Sequence, residues 1–194
     1  DFDVKALDAA PDGSAIVFEQ AGNIHLMEKG GKDHVVNITA AGDFPWMMAQ
    51  WKDVTTNMTN LTLSPTGKRI AVEARGEIFT IPAERGDVRN LTNSSASAER
   101  EPAWSPDGKS LSYFSDRSGE YKLYIENPDG LSPAREIDIK NPKHYYTVSW
   151  SPDSKWLLVQ FGPKERMFTP EVGLVAADGT GELRNLTQSG YDDY

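Results

Sequence analysis

Trp104-Ser105-Pro106-Asp107-Gly108-Lys109 decides the fold, because the chain repeats the phrase four times. Ala10-Pro11-Asp12-Gly13 and Ser64-Pro65-Thr66-Gly67-Lys68 precede it, and Trp150-Ser151-Pro152-Asp153-Ser154-Lys155 follows. A repeat multiplies the same residue types for structural reasons, so it is settled before any residue is read alone. Proline presets the backbone angle of the first central turn position, Asp bonds to nearby backbone, and Gly accepts a positive φ that a side chain resists. The phrase therefore predicts a hairpin turn rather than a binding loop. Trp104 and Trp150, just before it, are expected at strand ends where an indole packs between sheets.

Working outward from the third copy, Leu111-Ser112-Tyr113-Phe114 reads as a strand and Asp116-Arg117-Ser118-Gly119 as a turn. Lys122-Leu123-Tyr124-Ile125, the turn Pro128-Asp129-Gly130 and the short run Ile137-Asp138-Ile139 complete the unit. The second copy runs the same course through Ile70 to Ala74, Arg75-Gly76, Ile78 to Ile81, Glu84 to Asp87 and Val88 to Leu91. Short apolar, β-branched or aromatic runs bounded by Gly, Pro, Asp and Ser are strands and turns. No stretch sustains a 3.6-residue apolar period, so helix is expected to be nearly absent.

The four prolines of the phrase stand about 40 to 55 residues apart, and four strands with hairpin turns consume about that much chain, the length of a β-propeller blade. The expected class is all-β, a β-propeller of about four four-stranded antiparallel blades that form part of a larger propeller. The blades are placed at 3–39, 58–92, 101–139 and 146–187. Residues 40–57 form an insertion carrying Phe44, Trp46, Met47, Met48 and Trp51.

Composition bounds the chemistry. At 38% hydrophobic, with 16 Gly and 12 Pro, the chain can fill cores between sheets and turn often. No run approaches the ~20 apolar residues of a membrane helix, so membrane insertion is not expected. The sequence starts at Asp1 without a basic, apolar leader, so an export signal is expected to have been removed or never to have existed. A net charge of −9 opposes phosphate backbones and argues against nucleic acid. Without cysteine there is no thiolate or disulfide chemistry.

Candidate catalytic groups dissolve into the repeat. His25 interrupts an apolar strand, His34 leads into Val35-Val36, and His144 precedes Tyr145-Tyr146 in what reads as a connection. There is no Gly-x-Ser-x-Gly elbow and no His-Glu-x-x-His helix. Asp12, Asp107 and Asp153 recur because the turn recurs, and calcium loops spaced Asp-x-Asp-x-Asp-Gly are missing. No catalytic residue, metal site or cofactor is expected in this chain. Of six Asn-x-Ser/Thr sequons, at Asn37, Asn57, Asn60, Asn90, Asn93 and Asn185, three coincide with an Asn-Ile/Leu-Thr blade ending and read as repeat rather than glycan sites.

The pattern Pro102-x-Trp104-Ser105-Pro106-Asp107-Gly108-Lys109, then Tyr113 to Tyr121, then a terminal Asn-Leu-Thr resembles the TolB-like, WD40-like propeller repeat, and more closely that of tricorn-type proteases. Leu63 to Arg69, Glu73 to Glu84, Gly86 to Thr92, Phe18 to Gly22 and Gly42 to Trp46 carry the same likeness. No Trp-Asp dipeptide marks a WD repeat, and a sialidase-type Asp box would separate Asp107 from Gly108. The resemblance implies propellers that guide peptides to a separate serine-peptidase region, which would lie beyond Tyr194. This chain would then be the noncatalytic part, gating peptides or supporting assembly. The alternative is a TolB-like periplasmic scaffold that binds protein partners and has no peptidase. The resemblance leans to a periplasmic or secreted bacterial protein, with the cytoplasm as the alternative.

In a propeller, the turn between second and third strands and the link to the next blade emerge on one face. That face is expected to gather Arg75, Arg117 and Arg166 with Trp46 and Tyr145 as apolar contacts, a set able to hold a peptide carboxylate or acidic side chain. The competing reading pairs each arginine with its neighbour Glu77, Asp116 or Glu165 as an ordinary surface contact. Expected partners are peptides or proteins and the remaining propeller and peptidase domains of the parent. Closure of four blades, a homo-oligomer of two copies, and a section of a larger ring are the three ways to cover the exposed sheet faces, the last being expected.

Overall fold

The computed structural model describes residues 3–48, 50–139, 143–163, 169–180 and 182–187. Among the described residues sixteen strands follow one another in four sets. The first set is β1 Val4–Ala9, β2 Ala15–Gln20, β3 Asn23–Glu28 and β4 His34–Val35, and the second is β5 Met58–Leu63, β6 Arg69–Ala74, β7 Glu77–Pro82 and β8 Arg89–Asn90. The third is β9 Glu99–Trp104, β10 Leu111–Ser115, β11 Lys122–Glu126 and β12 Arg135–Glu136, and the fourth is β13 Lys143–Trp150, β14 Trp156–Pro163, β15 Glu171–Ala176 and β16 Arg184–Asn185. Each set is a four-stranded antiparallel sheet with strands in chain order, and the sheets are β-propeller blades. Among the described residues the only helical elements are 3₁₀ turns at Pro45–Met47 and Thr55–Asn57.

The repeated phrase turns each chain from first to second strand as its residues require. The N–H groups of Gly13, Gly67 and Gly108 donate to the carbonyls of Ala10, Ser64 and Ser105 at 2.8 Å, and Ser154 N–H donates to Ser151 at 2.9 Å. The residue after the turn is left-handed in every copy, with φ +68°, +68° and +72° at the glycines and +59° at Ser154. Ser105 Oγ donates to Asp107 Oδ1 at 2.6 Å and the Lys109 N–H reaches the same oxygen at 3.0 Å. These bonds, Ser105 first, hold the Asp107 carboxyl below its ordinary range.

The blade ending also has a structural job. Thr92 Oγ1 accepts the Ile78 N–H at 3.0 Å, and Thr187 Oγ1 accepts the Val172 N–H at 3.1 Å. Asn90 and Asn185 turn their Oδ1 to the N–H of Asn93 and Thr187. In the first sheet Val36, not Ile38, takes the place of Leu91 by bonding the Ile24 carbonyl. Asn37-Ile38-Thr39 thus runs two residues out of step with its counterparts.

Two compact units divide the chain, 1–51 and 52–194, the break falling inside the insertion. In the first unit the sheet side chains are at most half-buried; Phe18 stacks on His25, centroids 5.1 Å apart, and His25 Nδ1 lies 2.8 Å from Asp33 Oδ2. In the second unit the third sheet lies between the second and the fourth. Alternation along β10 sends Leu111 and Tyr113 against Ala71, Ile78 and Leu91 of the second sheet, and Phe114 against Tyr145, Val148, Leu157, Val159 and Phe161 of the fourth. All five residues of β10 are therefore buried. Each Leu, Ile, Val or Phe so covered contributes about 1.5–3 kcal/mol, which locks three successive sheets together.

Smaller contacts add to each junction of the second unit. Trp150 donates its indole N–H to Ala103 O and Ser112 Oγ of the preceding sheet, at 3.0 and 2.9 Å. Asp107 N–H meets Ser154 Oγ at 3.1 Å, and the Pro65 ring lies 3.8 Å from where a Cβ on Gly108 would stand. The expected interior position of Trp104 and Trp150 is what the structure has: both are partly buried against these cores.

Candidate functional site

The loops at the other end of the sheets converge where the link 91–98 passes between two hairpin turns. Arg75 and Gly76 form a two-residue turn with φ +54° and +81°, the backbone a tight right-twisted hairpin demands. A Cβ on Gly76 would stand 3.3 Å from Ala98 Cβ, so glycine lets the link pass close by. Gly76 O then accepts the Glu99 N–H at 2.7 Å, and Asp116 Oδ1 accepts the Ala98 N–H at 2.7 Å. The expected gathering of these turns and this link on one face is seen in the second unit.

Glu99, fully buried, is the centre of this end. Its Oε1 accepts Ser97 Oγ at 2.8 Å and Ser115 Oγ at 2.7 Å, and its Oε2 accepts Ser94 Oγ. Arg117 NH2 completes the shell 3.6 Å from Oε1. The guanidinium also donates through Nε to Ser115 Oγ at 3.0 Å and through NH2 to Tyr113 OH at 3.2 Å, and it lies 4.5 Å from the Tyr124 ring centroid. Tyr113 OH in turn donates to Glu126 Oε2 at 2.7 Å. Burial pushes the Tyr113 phenol up, with Glu126 adding to it, and burial pushes the Glu126 carboxyl up as well.

A second acidic group joins Glu73 of β6 with Glu101 of β9. A bulge interrupts β5 and β9, placing Asn60 and Glu101 at φ +49° and +56°. Glu73 Oε2 accepts Asn60 Nδ2 at 2.7 Å and the Glu101 N–H at 3.2 Å. Burial and then the neighbouring Glu73 raise the Glu101 carboxyl above its usual range. Beside it Arg100 lies 4.2 Å from the Tyr121 ring centroid and donates to Tyr145 O at 2.6 Å.

Ser94, Ser97 and Ser115 spend their hydroxyl protons on Glu99, and no histidine is bonded to a serine among the described residues. No group of three metal-ligating side chains occurs among them either.

Of the expected carboxylate-binding residues, Arg75, Arg117 and Tyr145 are among the described residues of the second unit. Arg75 is exposed and has no bonded partner among the described residues; Glu77 is engaged instead by Thr92 Oγ1 and the Ser94 N–H. Arg117 pairs with Glu99, not with Asp116. Tyr145 is 5% exposed rather than on a loop surface, because it and His144 belong to β13; Tyr145 pairs with Phe161 and stacks on Phe114 at 5.4 Å. Trp46 belongs to the first unit, 74% exposed and edge-on to Phe44. Arg166 and Glu165 lie outside the described residues.

Sequence reasoning sets Glu99 to Glu101 on this face but gives Glu99 no role, although a signal was present. Register places Val4, Met58, Glu99 and Tyr145 at the same point of the four first strands. One carboxylate in an otherwise apolar or aromatic column marks a polar cluster.

No protein-family model matches the chain. It is 24% identical to dipeptidyl-peptidase 5 of Porphyromonas gingivalis over 159 residues, covering 76% of this chain and 22% of that protein. It is 41% identical to the uncharacterised peptidase YuxL of Bacillus subtilis strain 168 over 63 residues, 30% of this chain and 9% of that one. The chain thus spans less than a quarter of either curated relative. Among solved structures it resembles a TolB-like protein from Agrobacterium tumefaciens with TM-score 0.57 at 21% identity, over all of this chain and 65% of that one. TolB from Acinetobacter baumannii aligns with TM-score 0.56 at 20% identity, over 99% of this chain and 45% of that one. At such identities the likeness is one of fold: TolB-like propeller blades.

Proposed function

We propose that this chain is the noncatalytic propeller section of a peptidase of tricorn-like organisation, controlling how peptides reach a catalytic region elsewhere in the parent protein. The observation that carries this reading is the alignment of 76% of the chain with 22% of a dipeptidyl-peptidase, which leaves most of that relative outside the propeller match. The loop end supports it, since its buried carboxylates and serines shape a rigid rim instead of forming a nucleophile–base pair. Within that rim Arg75 has no bonded partner among the described residues, and it is assigned the role of meeting a peptide carboxylate. A scaffold that binds protein partners without a peptidase is the second reading, favoured by the TolB fold match.

Reading the gene on both sides of these codons, and assaying its complete product on peptide p-nitroanilides, separates the two. The peptidase reading expects a serine-peptidase region in the same frame, turnover by the complete product and none by the 194-residue chain. A complete product with no such region and no turnover overturns it.

A further inference from the structure

The second and third sheets present the same positions to the sheet that follows each, with one exchange. Ala71 opposite Thr80 corresponds to Ser112 opposite Ile125, and Arg89 and Arg135 lie opposite Thr80 and Ile125 in turn. Arg89 donates to Pro128 O at 3.3 Å, in the turn between third and fourth strands of the next sheet, and Arg135 donates to Ala177 O at 2.5 Å in the equivalent turn of the sheet after that. The arginines that close the two junctions therefore match. Two residues before Ala71 and Ser112 the sheets part company, with Arg69 in the second and Ser110 in the third.

Arg69 lays its guanidinium along its own sheet. Its NH2 group donates to Thr80 O at 2.8 Å, to Thr80 Oγ1 at 3.0 Å and to Asp87 O at 3.1 Å. By alternation along β6 it shares the face of Ala71, which packs with Leu111 and Tyr113 of the third sheet. The Ser110 side chain ends at Oγ, so nothing in the third sheet reaches the place where that guanidinium lies. A cavity of about 450 Å³ stands there between the third and fourth sheets, with Ser110, Ile125 and Arg135 on one side and Trp150, Asp178 and Thr180 on the other. All six belong to the second unit. Bonds from Thr180, then its backbone N–H, hold the Asp178 carboxyl below its ordinary range, so the wall carries an anion at neutral pH.

We infer that this cavity is a binding site for an alkylguanidinium group, the side chain of an arginine, seated as Arg69 is seated one junction earlier. The incoming guanidinium takes the Ile125 carbonyl as Arg69 takes that of Thr80, and turns its remaining N–H groups to Ser110 Oγ and the Asp178 carboxylate. Trp150 gives its own N–H to Ala103 O and Ser112 Oγ, which leaves its ring as a flat wall for the planar cation. Arg135 and Lys155 also border the cavity. Their counterparts Arg89 and Lys109 hold the same places in the junction that contains Arg69, so cations there do not bar a guanidinium. The site lies beside the repeated turns, at the end of the sheets away from Glu99, and it stands whether or not a peptidase region exists.

Titration of the complete gene product, its tryptophan indoles isotope-labelled for NMR, with N-acetylarginine amide, free arginine and N-acetylcitrulline amide tests it. The Trp150 indole N–H resonance should shift saturably with the arginine probes and several-fold more weakly with citrulline, which keeps the shape and loses the charge. Tighter binding of the amide assigns the ligand to an arginine within a polypeptide, and tighter binding of free arginine assigns it to the amino acid; either order supports the guanidinium site. Ser110→Arg supplies the group from within the chain and should abolish the response. Should that variant fail to fold, the comparison of arginine with citrulline on the unaltered protein decides alone. No response to arginine, an equal response to citrulline, or an undiminished response in a folded Ser110→Arg variant overturns the inference. A shift produced by inorganic phosphate and not by arginine makes the cavity an anion site and overturns it as well.

Discussion

Trp150 hands its indole N–H to Ser112 of the preceding sheet, 2.9 Å away, whereas Trp104, its counterpart one sheet earlier, has a buried indole N–H with no partner among the described residues. At the matching register Ser112 pairs with Ala103 as Ala71 pairs with Thr62, so Ala71 stands where the accepting hydroxyl would be. A buried donor left unmade costs about 1–3 kcal/mol.

Ala71→Ser should therefore stabilise the chain. The expected gain is about 1 kcal/mol, or about 2–4 °C in melting temperature for a chain of this size. In a Trp104→Phe background the same substitution should give no gain, and urea denaturation of the four proteins reads the coupling. Equal effects in both backgrounds would mean that the new hydroxyl acts through something other than Trp104.

Ser154 offers a second comparison between copies, because it adopts φ +59° where the other three turns have glycine. The left-handed backbone costs a side-chain-bearing residue roughly 1–2 kcal/mol. Its hydroxyl, however, accepts the Asp107 N–H from the neighbouring turn. Ser154→Gly relieves the first term and loses the second, so unfolding free energy should change by less than about 0.5 kcal/mol. Ser154→Ala loses the bond and keeps the strain, and is expected to cost about 1 kcal/mol. A Gly variant as destabilised as the Ala variant would show that the hydroxyl alone governs this position.

Glu126 gives a pH-dependent prediction. Burial raises its carboxyl above the ordinary range, partly opposed by the Tyr113 hydroxyl and by Arg117. A carboxyl with a raised folded-state pKa contributes stability at pH below its unfolded value, and this is lost as pH rises through the folded value. Glu126→Gln keeps an oxygen for Tyr113 while removing the charge. It should therefore raise the melting temperature at pH 7 and leave it nearly unchanged at pH 3. A gain of equal size at both pH values would exclude ionisation as the cause.

The fold was legible because its information is local and repeated. Pro106, Asp107 and Gly108 each have a conformational role that can be stated without a partner, and the spacing of four copies sets the sheet count. Trp104 and Trp150 were legible as interior for the same reason, since their place beside the turn fixes where they point. The site was less so. Tyr145 reads as a loop aromatic until the ladder with Phe161 shows that the strand starts earlier, and a β-bulge makes that start invisible to simple alternation. Arg117 stands beside Asp116 in sequence, yet it finds Glu99, and only tertiary packing makes that choice.

Glu99 tests how much of the loop end hangs on one buried carboxylate. Glu99→Ala leaves Ser94, Ser97, Ser115 and Arg117 without their common acceptor, and is expected to cost about 3–5 kcal/mol. Glu99→Gln keeps one carbonyl oxygen, and serine hydroxyls can rotate to accept from the amide, so its cost should be about 1–2 kcal/mol. Two of the three serines belong to the link 91–98, which also bonds Asp116 through Ala98, so loss of the acceptor should loosen that segment before the sheets. Hydrogen exchange should accordingly show faster exchange at Ala98 and Glu99 in the Ala variant while the amides of β10 stay protected. Uniform acceleration across β10 and the link would show instead that Glu99 supports the stack of sheets as a whole, and that the rim has no stability of its own to lose.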